Sequence, residues 1–185
     1  MKNILVYLTF VSILSSCASS LNHIETEELI NNYYSSLSNQ DRSYQVEQMP
    51  VKRLQKYGSK KDALEYFEKK YPFEKNKDSK QYTNISNLLL SELQRCGSTK
   101  YYVVDFDIRS GEFAPYFNKE SENYVKKEYG EDGYYYNPNT KILEITETIR
   151  MAIIRDTDHK WKVQRFDPES IESGYGRSIS KCIVK

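Results

Sequence analysis

An alternation of apolar and polar residues over 141–156 constrains the fold of this chain more than any other feature. Apolar residues such as Leu143 and Ile149 fall on one parity of the segment, and charged or hydroxyl side chains fall on the other. Successive side chains of a strand point to opposite faces of a sheet, so this period predicts a strand with one buried face. The polar run 156–159 and the apolar positions of 160–166 add a turn and a return strand. We therefore expect a long antiparallel hairpin near the C-terminus.

The segments before this hairpin predict two helices and then further strands. Apolar residues recur at helical spacing over 26–40, with Thr26 as the expected N-cap, and again over 60–71. Residues 101–108 alternate in polarity, and the Gly-Ser pair before them predicts a hairpin with 83–96. Helices followed by a run of strands predict an α+β fold, with N-terminal helices packed on a curved, mainly antiparallel sheet.

Other segments carry polar or turn-forming residues without a clear period. The C-terminal tail contains Cys182, which could attach it to the rest of the domain. We expect a loop with a short helical or extended piece at 41–58 and a loop at 73–82. We also expect irregular chain at 110–123, a hairpin or long loop at 124–136, and a tail at 167–185 whose last residues could add an edge strand.

The first 16 residues have the features of a secretory signal peptide. Lys2 supplies a positive charge, and residues 4–14 form an apolar run that is shorter than the roughly 20 residues needed to span a bilayer. The sequence Leu-Ser-Ser-Cys that ends at Cys17 resembles the lipobox of bacterial lipoproteins, in which the cysteine receives diacylglycerol and becomes the first residue. The resemblance implies a lipid anchor on Cys17, with acyl chains such as palmitate. The alternative is an ordinary signal peptide that is cut near residues 18–20 and discards Cys17.

Removal of the signal peptide would leave a short tether, residues 17–25, and a single domain, residues 26–185. Charged residues make up 29% of the chain and nearly cancel, with a net charge of +1. No concentrated basic face is expected, so nucleic acid is not an expected partner. After lipidation of Cys17, Cys96 and Cys182 remain. In an exported protein this pair is expected to form a disulfide, with two free thiols as the alternative.

The helices near 29–37 and 63–71 precede a terminal hairpin that ends in His-Lys-Trp-Lys-Val at 159–163. With these features the domain resembles the nuclear transport factor-like superfamily, also called the cystatin-like cone fold. The resemblance implies N-terminal helices and a sheet that wraps around a pocket. It also implies a further helix between early strands, for which the sequence shows no counterpart. A shared fold does not by itself transfer a function.

No residue pattern indicates a catalytic triad, a metal site or a cofactor site. The two histidines, His23 and His159, fall in the expected tether and turn, and neither a paired-cysteine motif nor a glycine-rich phosphate loop occurs. Glu147 is the remaining catalytic candidate, because it shares the parity of the buried residues of its strand. A strand end or a lysine partner would also account for it. The other strand carboxylates have solvent-facing parity: Asp105, Asp107 and Glu144.

Tyrosine is unusually frequent, with 17 in 185 residues. Its ring supplies apolar contact and its hydroxyl supplies direction, so tyrosines are suited to ligand pockets and protein contacts. The candidate binding residues are Tyr34, Tyr102 and Tyr135. The alternatives are core packing for the first two and an edge strand for the third. Tyr34 and Tyr102 would line a cavity with Tyr33, Tyr66, Tyr71 and Tyr101, and Tyr135 would belong to an exposed protein-contact patch at 134–136.

These features favour a membrane-anchored lipoprotein of the bacterial cell envelope. Its small, non-enzymatic domain is expected to bind a partner protein or a small apolar ligand. The outer membrane is the expected location, with the periplasmic or surface side left open. The alternative is a pocket-bearing enzyme of the cone fold, of isomerase or hydrolase type, that uses Glu147 as a buried carboxylate together with tyrosines. No cofactor is expected in either case.

Replacement of Cys17 by alanine tests the anchor. Acyl chains contribute about 0.8 kcal/mol of membrane binding per buried methylene, and the Cys17→Ala variant lacks them. We expect this variant to move from the membrane fraction to the soluble fraction, as measured by cell fractionation and immunoblotting. Retention of the variant in the membrane fraction would contradict the lipoprotein assignment.

Overall fold

Two long antiparallel strands form the centre of the fold. In the computed structural model, which describes residues 20–72 and 81–185, these are β3 (Thr99–Phe113) and β5 (Ile142–Arg155). They pair without interruption from Tyr101 opposite Ile154 to Phe113 opposite Ile142. Each face of the pair therefore keeps one parity along its whole length. The alternation in the sequence becomes two distinct faces of one sheet.

Four shorter strands flank this central pair and complete a curved, open sheet of six strands among the described residues. Two of them, β1 and β2, pair with the outer edge of β3. The other two, β4 and β6, pair with the outer edge of β5, and all pairings are antiparallel. Their bounds are β1 (Gln81–Leu90), β2 (Gln94–Cys96), β4 (Tyr134–Asn137) and β6 (Trp161–Arg165).

Helices precede, interrupt and follow the strands, which confirms the predicted α+β class. Across the described parts of the chain, none of the helices is both long and apolar enough to span a bilayer. The helices are α1 (His23–Ser38), α2 (Arg42–Glu47), α3 (Val51–Leu54) with a 3₁₀ turn at Gln55–Tyr57, α4 (Lys60–Lys70), α5 (Lys119–Tyr129), α6 (Pro168–Tyr175) and α7 (Arg177–Ile183).

The main core lies between α1 and one face of the sheet. Ile30 and Tyr34 of α1 pack with Phe106 of β3 and with Met151 and Ile153 of β5, and all five side chains are buried. Burial of large apolar side chains contributes roughly 1.5–3 kcal/mol each. This contact is therefore the main attachment of α1 to the sheet.

The opposite face of the sheet is covered at one end only. Ile171 of α6 and Ile183 of α7 pack there in a cluster with Ile154 of β5. A disulfide between Cys96 and Cys182 joins β2 to α7. The predicted disulfide is thus confirmed, and it fixes the C-terminal helices to the sheet.

The first helix begins three residues earlier than predicted, because Asn22 and not Thr26 is its N-cap. The Asn22 side chain accepts a hydrogen bond from the Glu25 N–H, and the Glu25 carboxylate accepts one from the Asn22 N–H. Thr26 is buried, and its hydroxyl donates to the Asn22 carbonyl. This reciprocal capping satisfies N–H groups that the first turn leaves free. Residues 23–25 therefore belong to the helix, and His23 is not part of a tether.

The second predicted helix is confirmed as α4. Its N-cap is Ser59, whose hydroxyl accepts a hydrogen bond from the Asp62 N–H. The segment 41–58, expected as a loop with a short helical or extended piece, contains two short helices, α2 and α3. The strand expected at 101–108 is longer at both ends, since β2 and β5 supply it with partners.

Two expectations for the middle of the chain are wrong. Residues 110–123, expected as irregular chain, contain the end of β3 and the start of α5. Residues 124–136, expected as a hairpin or long loop, contain the rest of α5 and most of β4. Val125 is the one buried residue of α5 and most of its other side chains are charged or polar, so no helical period appears in the sequence. Its N-cap Asn118 accepts hydrogen bonds from two N–H groups of the first turn.

The C-terminal tail is helical and does not add an edge strand. Asp167 caps α6 by accepting a hydrogen bond from the Ser170 N–H, and Pro168 occupies the first helical position. Both residue types are favoured at these positions. Docking on the sheet then buries Ile171 and Ile183.

Three expectations fall outside the described residues. These are the signal peptide at 1–16, the lipidation of Cys17 and most of the loop at 73–82.

Removal of the disulfide should lower the free energy of unfolding by about 4 kcal/mol, because the cross-link restricts the unfolded chain. The bonded residues are separated by 86 positions. Urea denaturation followed by circular dichroism should show this loss in the double variant Cys96→Ser, Cys182→Ser. Reduction of the wild-type protein should give a similar loss. An unchanged unfolding midpoint in both experiments would contradict the prediction.

Candidate functional site

A hollow of about 570 Å³ opens between the C-terminal half of α1 and the sheet. We call it the tyrosine hollow. Helix α1 lines it with Tyr33, Tyr34 and Leu37, β1 lines it with Tyr82, and β5 lines it with residues that include Met151. Most of these side chains also pack against the main core. The hollow is therefore a space that continues from the core and is not filled by protein atoms.

The tyrosine hollow lies beside a gap in the outer edge of β5. On this edge β4 pairs with residues 142–145, and β6 pairs with residues 151–155. Within the described ranges, no strand pairs with residues 147–150 on that side. These four residues line the hollow. The hollow therefore exists because two short strands share one edge of a long strand without meeting.

Tyr34 is the centre of the aromatic cluster that walls the hollow. Its ring centroid lies 5.4 Å from that of Tyr33, 4.8 Å from that of Tyr82 and 5.7 Å from that of Phe106, all in edge-to-face contact. Such pairs contribute roughly 0.5–1.5 kcal/mol beyond burial. The Tyr34 hydroxyl lies 3.9 Å from the Met151 Sδ atom. Core packing therefore holds this wall in place.

The rim of the hollow carries charges of both signs. Glu147 lies on β5, directly opposite Ile108 of β3. Arg165 lies at the end of β6, and its Nε is 3.8 Å from Asp167 Oδ2, with side chains that are 79% and 39% exposed. A pair this long and exposed is weak. Burial acts to raise the pKa of Asp167, but hydrogen bonds from Ser170 and the positive charge of Arg165 are among the effects that together hold that pKa below its usual range.

The two tyrosines of α1 resist ionisation. Burial raises the pKa of Tyr33, and the positive charge of Arg165 opposes this. Burial also raises the pKa of Tyr34 well above its usual value, and the neighbouring tyrosines and the negative charge of Glu147 raise it further. At neutral pH both hydroxyls therefore remain protonated, and that of Tyr34 donates to the Met151 Sδ atom.

Glu147 lies on the side of the sheet that its parity predicts. It faces the same side as α1 and lines the tyrosine hollow with Tyr34. Asp105 and Asp107 lie on the opposite face, where they bind Arg150 and Thr148 of β5. Glu144 also lies there, in an ion pair with Arg109. The predicted division between one inward and three outward carboxylates agrees with this placement, and a catalytic role for Glu147 stays a prediction.

The structure does not bring the candidate binding tyrosines together. Tyr34 lines the hollow, whereas Tyr102 is buried below the start of α1. There the ring of Tyr102 packs on Trp161, and its hydroxyl accepts a hydrogen bond of 3.0 Å from the Leu21 N–H. Of the other expected cavity residues, Tyr33 lines the hollow, Tyr101 lies on the opposite face of the sheet, and Tyr66 and Tyr71 lie on or just after α4.

The three consecutive tyrosines at 134–136 form the edge strand β4 instead of a loop patch. Tyr135 is 55% exposed. Its neighbours are half-buried, and their hydroxyls donate hydrogen bonds to Glu122 and to the carbonyl of Ala114. Only Tyr135 therefore remains from this segment as a protein-contact candidate.

Sequence reasoning missed several residues of the hollow, among them Tyr82 and Arg165. Tyr82 follows a lysine-rich segment, and Arg165 ends the return strand. Neither position stands out in the periodic pattern of its segment, and both reach the hollow only through pairing of distant strands. Leu37, in contrast, was visible as an apolar position at helical spacing in α1.

In the parts of the chain that the structure describes, no cluster of three or more histidine, cysteine, aspartate or glutamate side chains is arranged to hold a metal ion. Comparisons with known proteins give no further guide: no protein-family model, curated protein or solved structure matches this chain. The resemblances to lipoproteins and to the cone fold therefore stay predictions.

Spectroscopic titration tests the burial of Tyr34. Tyrosines with an ordinary pKa ionise between about pH 9 and pH 11, and the raised pKa of Tyr34 places it above them. Near pH 10 the Tyr34 hydroxyl ionises in the unfolded chain but not in the folded protein. Burial of Tyr34 therefore contributes to the free energy of unfolding below about pH 10, and this contribution is lost as pH rises further. Tyr34→Phe should therefore leave the absorbance rise at 295 nm between pH 9 and 11 unchanged. A loss of one tyrosine from that rise would contradict the assignment.

Proposed function

We propose that the protein is a lipoprotein of the bacterial cell envelope, anchored through Cys17, whose α+β domain binds a small, largely apolar ligand. The ligand site is the tyrosine hollow. The observation that carries this proposal is the aromatic wall of Tyr33, Tyr34 and Tyr82 around a cavity of about 570 Å³. Ligand sites in proteins commonly have this size and combine apolar walls with a few polar groups.

The hollow is suited to binding without a large rearrangement. Tyr34 is already buried, with 8% of its surface exposed, and three ring contacts fix its side chain. A ligand therefore does not need to immobilise this side chain on binding. Binding then costs less conformational entropy than binding to a mobile segment. The hydroxyl groups and the rim charges can orient a polar end of the ligand, while the rings and Leu37 supply apolar contact.

The position of α1 is compatible with a short anchor. Leu21 contacts Tyr102 at one end of the sheet, and it follows Cys17 by four positions, which span at most about 14 Å when extended. That end of the domain would face the membrane. The hollow near Leu37 lies about 20 Å farther along α1, at a rise of 1.5 Å per residue.

Binding of the neutral fluorophore N-phenyl-1-naphthylamine tests the site. The full-length Cys17→Ala chain is used, so that no acyl anchor contributes to the signal. We expect saturable fluorescence enhancement, and we expect Leu37→Ala to weaken binding about fivefold, because roughly 1 kcal/mol of apolar contact is lost. The same fluorescence titration is made with the Cys17→Ala chain and with the chain that also carries Leu37→Ala.

Leu89→Ala is the matched control. Leu89 lies on β1, is 69% exposed and does not line the hollow, so its replacement should leave binding unchanged. Absence of saturable binding, or equal weakening by the two variants, would reject the tyrosine hollow as the ligand site.

One observation favours a second candidate function. Glu147 and Tyr34 line the same hollow, as a hydrolase or isomerase would require for a carboxylate base beside a hydroxyl donor. Hydrolysis of p-nitrophenyl butyrate would favour this alternative if Glu147→Gln abolished turnover but retained binding of N-phenyl-1-naphthylamine. Binding without turnover favours the non-enzymatic function.

A further inference from the structure

A second hollow of about 190 Å³ adjoins the tyrosine hollow. Tyr33, Leu37 and Arg165 line both cavities. The two cavities therefore adjoin at these side chains along α1 and β6, and we call the pair the groove. We call the smaller cavity the arginine hollow, because Arg53 and Arg165 are the charged residues that line it.

The arginine hollow has a positive lining and no carboxylate. Among the described residues, Arg53 has no ion-pair partner within 4.0 Å, and Arg165 has only its long, exposed pair with Asp167. The remaining polar lining consists of glutamine amides, a serine and Tyr33. An arginine guanidinium presents a planar set of N–H donors that matches a carboxylate or phosphate group. The lining therefore favours an anion.

The floor of the arginine hollow is well ordered by hydrogen bonds. Gln48 is buried, and its side-chain oxygen accepts a hydrogen bond of 3.1 Å from the Val163 N–H of β6. The Gln48 carbonyl accepts another from the Gln164 side chain. These bonds attach the chain between α2 and α3 to β6, and so connect the elements from which Arg53 and Arg165 line the hollow.

The two hollows differ in charge in a way that would orient a ligand. The tyrosine hollow is lined by two carboxylates, Glu147 and Asp167, and by two arginines, Arg150 and Arg165, so its charges balance and an acidic group gains little there. Arg53 and Arg165 line the neighbouring hollow without a carboxylate and would attract the same group. An apolar body in the tyrosine hollow therefore leaves its acidic end in the arginine hollow.

We infer that the groove binds an amphipathic anion, with its apolar body in the tyrosine hollow and its carboxylate or phosphate group at Arg53 and Arg165. This inference rests on the proposed function and names the chemical class of its ligand. The apolar part supplies most of the contact area, and the arginines supply selectivity for the acidic end.

Displacement of N-phenyl-1-naphthylamine by four ten-carbon probes tests the inference on the full-length Cys17→Ala chain. The probes are decanoate, decyl phosphate, decanol and decyltrimethylammonium. At least one anion should bind about tenfold more tightly than decanol, since a charge-assisted hydrogen bond has roughly this value. The cation should bind most weakly. The order of decanoate and decyl phosphate identifies which acid the site prefers.

Arg165→Gln and Arg53→Gln should each remove most of the preference for the anion and leave the affinity for decanol unchanged. Arg177→Gln is the control, because Arg177 is exposed at the start of α7 and lines neither hollow. Thermal unfolding of each variant checks that the fold is retained, which the high exposure of Arg165 favours.

Equal affinity for decanol and for both anions would overturn the inference, as would an equal effect of all three arginine variants. In either case saturable binding of N-phenyl-1-naphthylamine would still support the proposed function. Failure of that fluorophore to bind would contradict both the proposed function and this inference.

Discussion

The uninterrupted pairing of β3 with β5 is the constraint on which the rest of the structure depends. The two strands stay in register from Tyr101 opposite Ile154 to Phe113 opposite Ile142. A shift by one residue would exchange the two faces, because side chains alternate along a strand. It would place Asp105 and Asp107 below α1 and expose Phe106 to water. The free energy lost by exposing these apolar side chains to water keeps the two strands in their register.

The two faces of the sheet differ in what packs against them. One face binds α1 and contains the main core, while the other is covered at one end by α6 and α7 and is otherwise polar. On the polar part, Arg150 donates two hydrogen bonds to Asp105, which hold the pKa of that carboxyl below its usual range. The outward carboxylates are thus engaged with partners on the neighbouring strand. Glu147 alone among the candidate carboxylates faces the hollow.

The groove arises where regular structure stops. The strands β4 and β6 share one edge of β5 and leave residues 147–150 between them. The end of α1 passes over this gap, so its tyrosines serve both the core and the cavity wall. Such an arrangement gives a preformed cavity, because the same ring contacts that stabilise the fold also form the cavity wall. The charges that would give it selectivity come from α3 and from the end of β6, outside the main core.

Local patterns in the sequence determine the elements that have many periodic residues. The alternation of β5, the spacing of apolar residues in α1 and α4, the inward parity of Glu147 and the pairing of the two distal cysteines all follow from the sequence, because period, capping and cysteine number are local or compositional properties. The short helices cannot be predicted from such local patterns. Helix α5 buries one residue, and α6 and α7 owe their burial to docking on the sheet.

The groove itself is decided only by the tertiary structure. Its walls come from α1, β1, β5 and β6, and residues as distant as Tyr33 and Arg165 meet there. No local period encodes such a meeting, since it depends on which strand edges pair and where short strands end. The sequence by itself thus determines that the chain forms helices on a two-faced sheet. Long-range strand pairing decides where that sheet leaves a cavity.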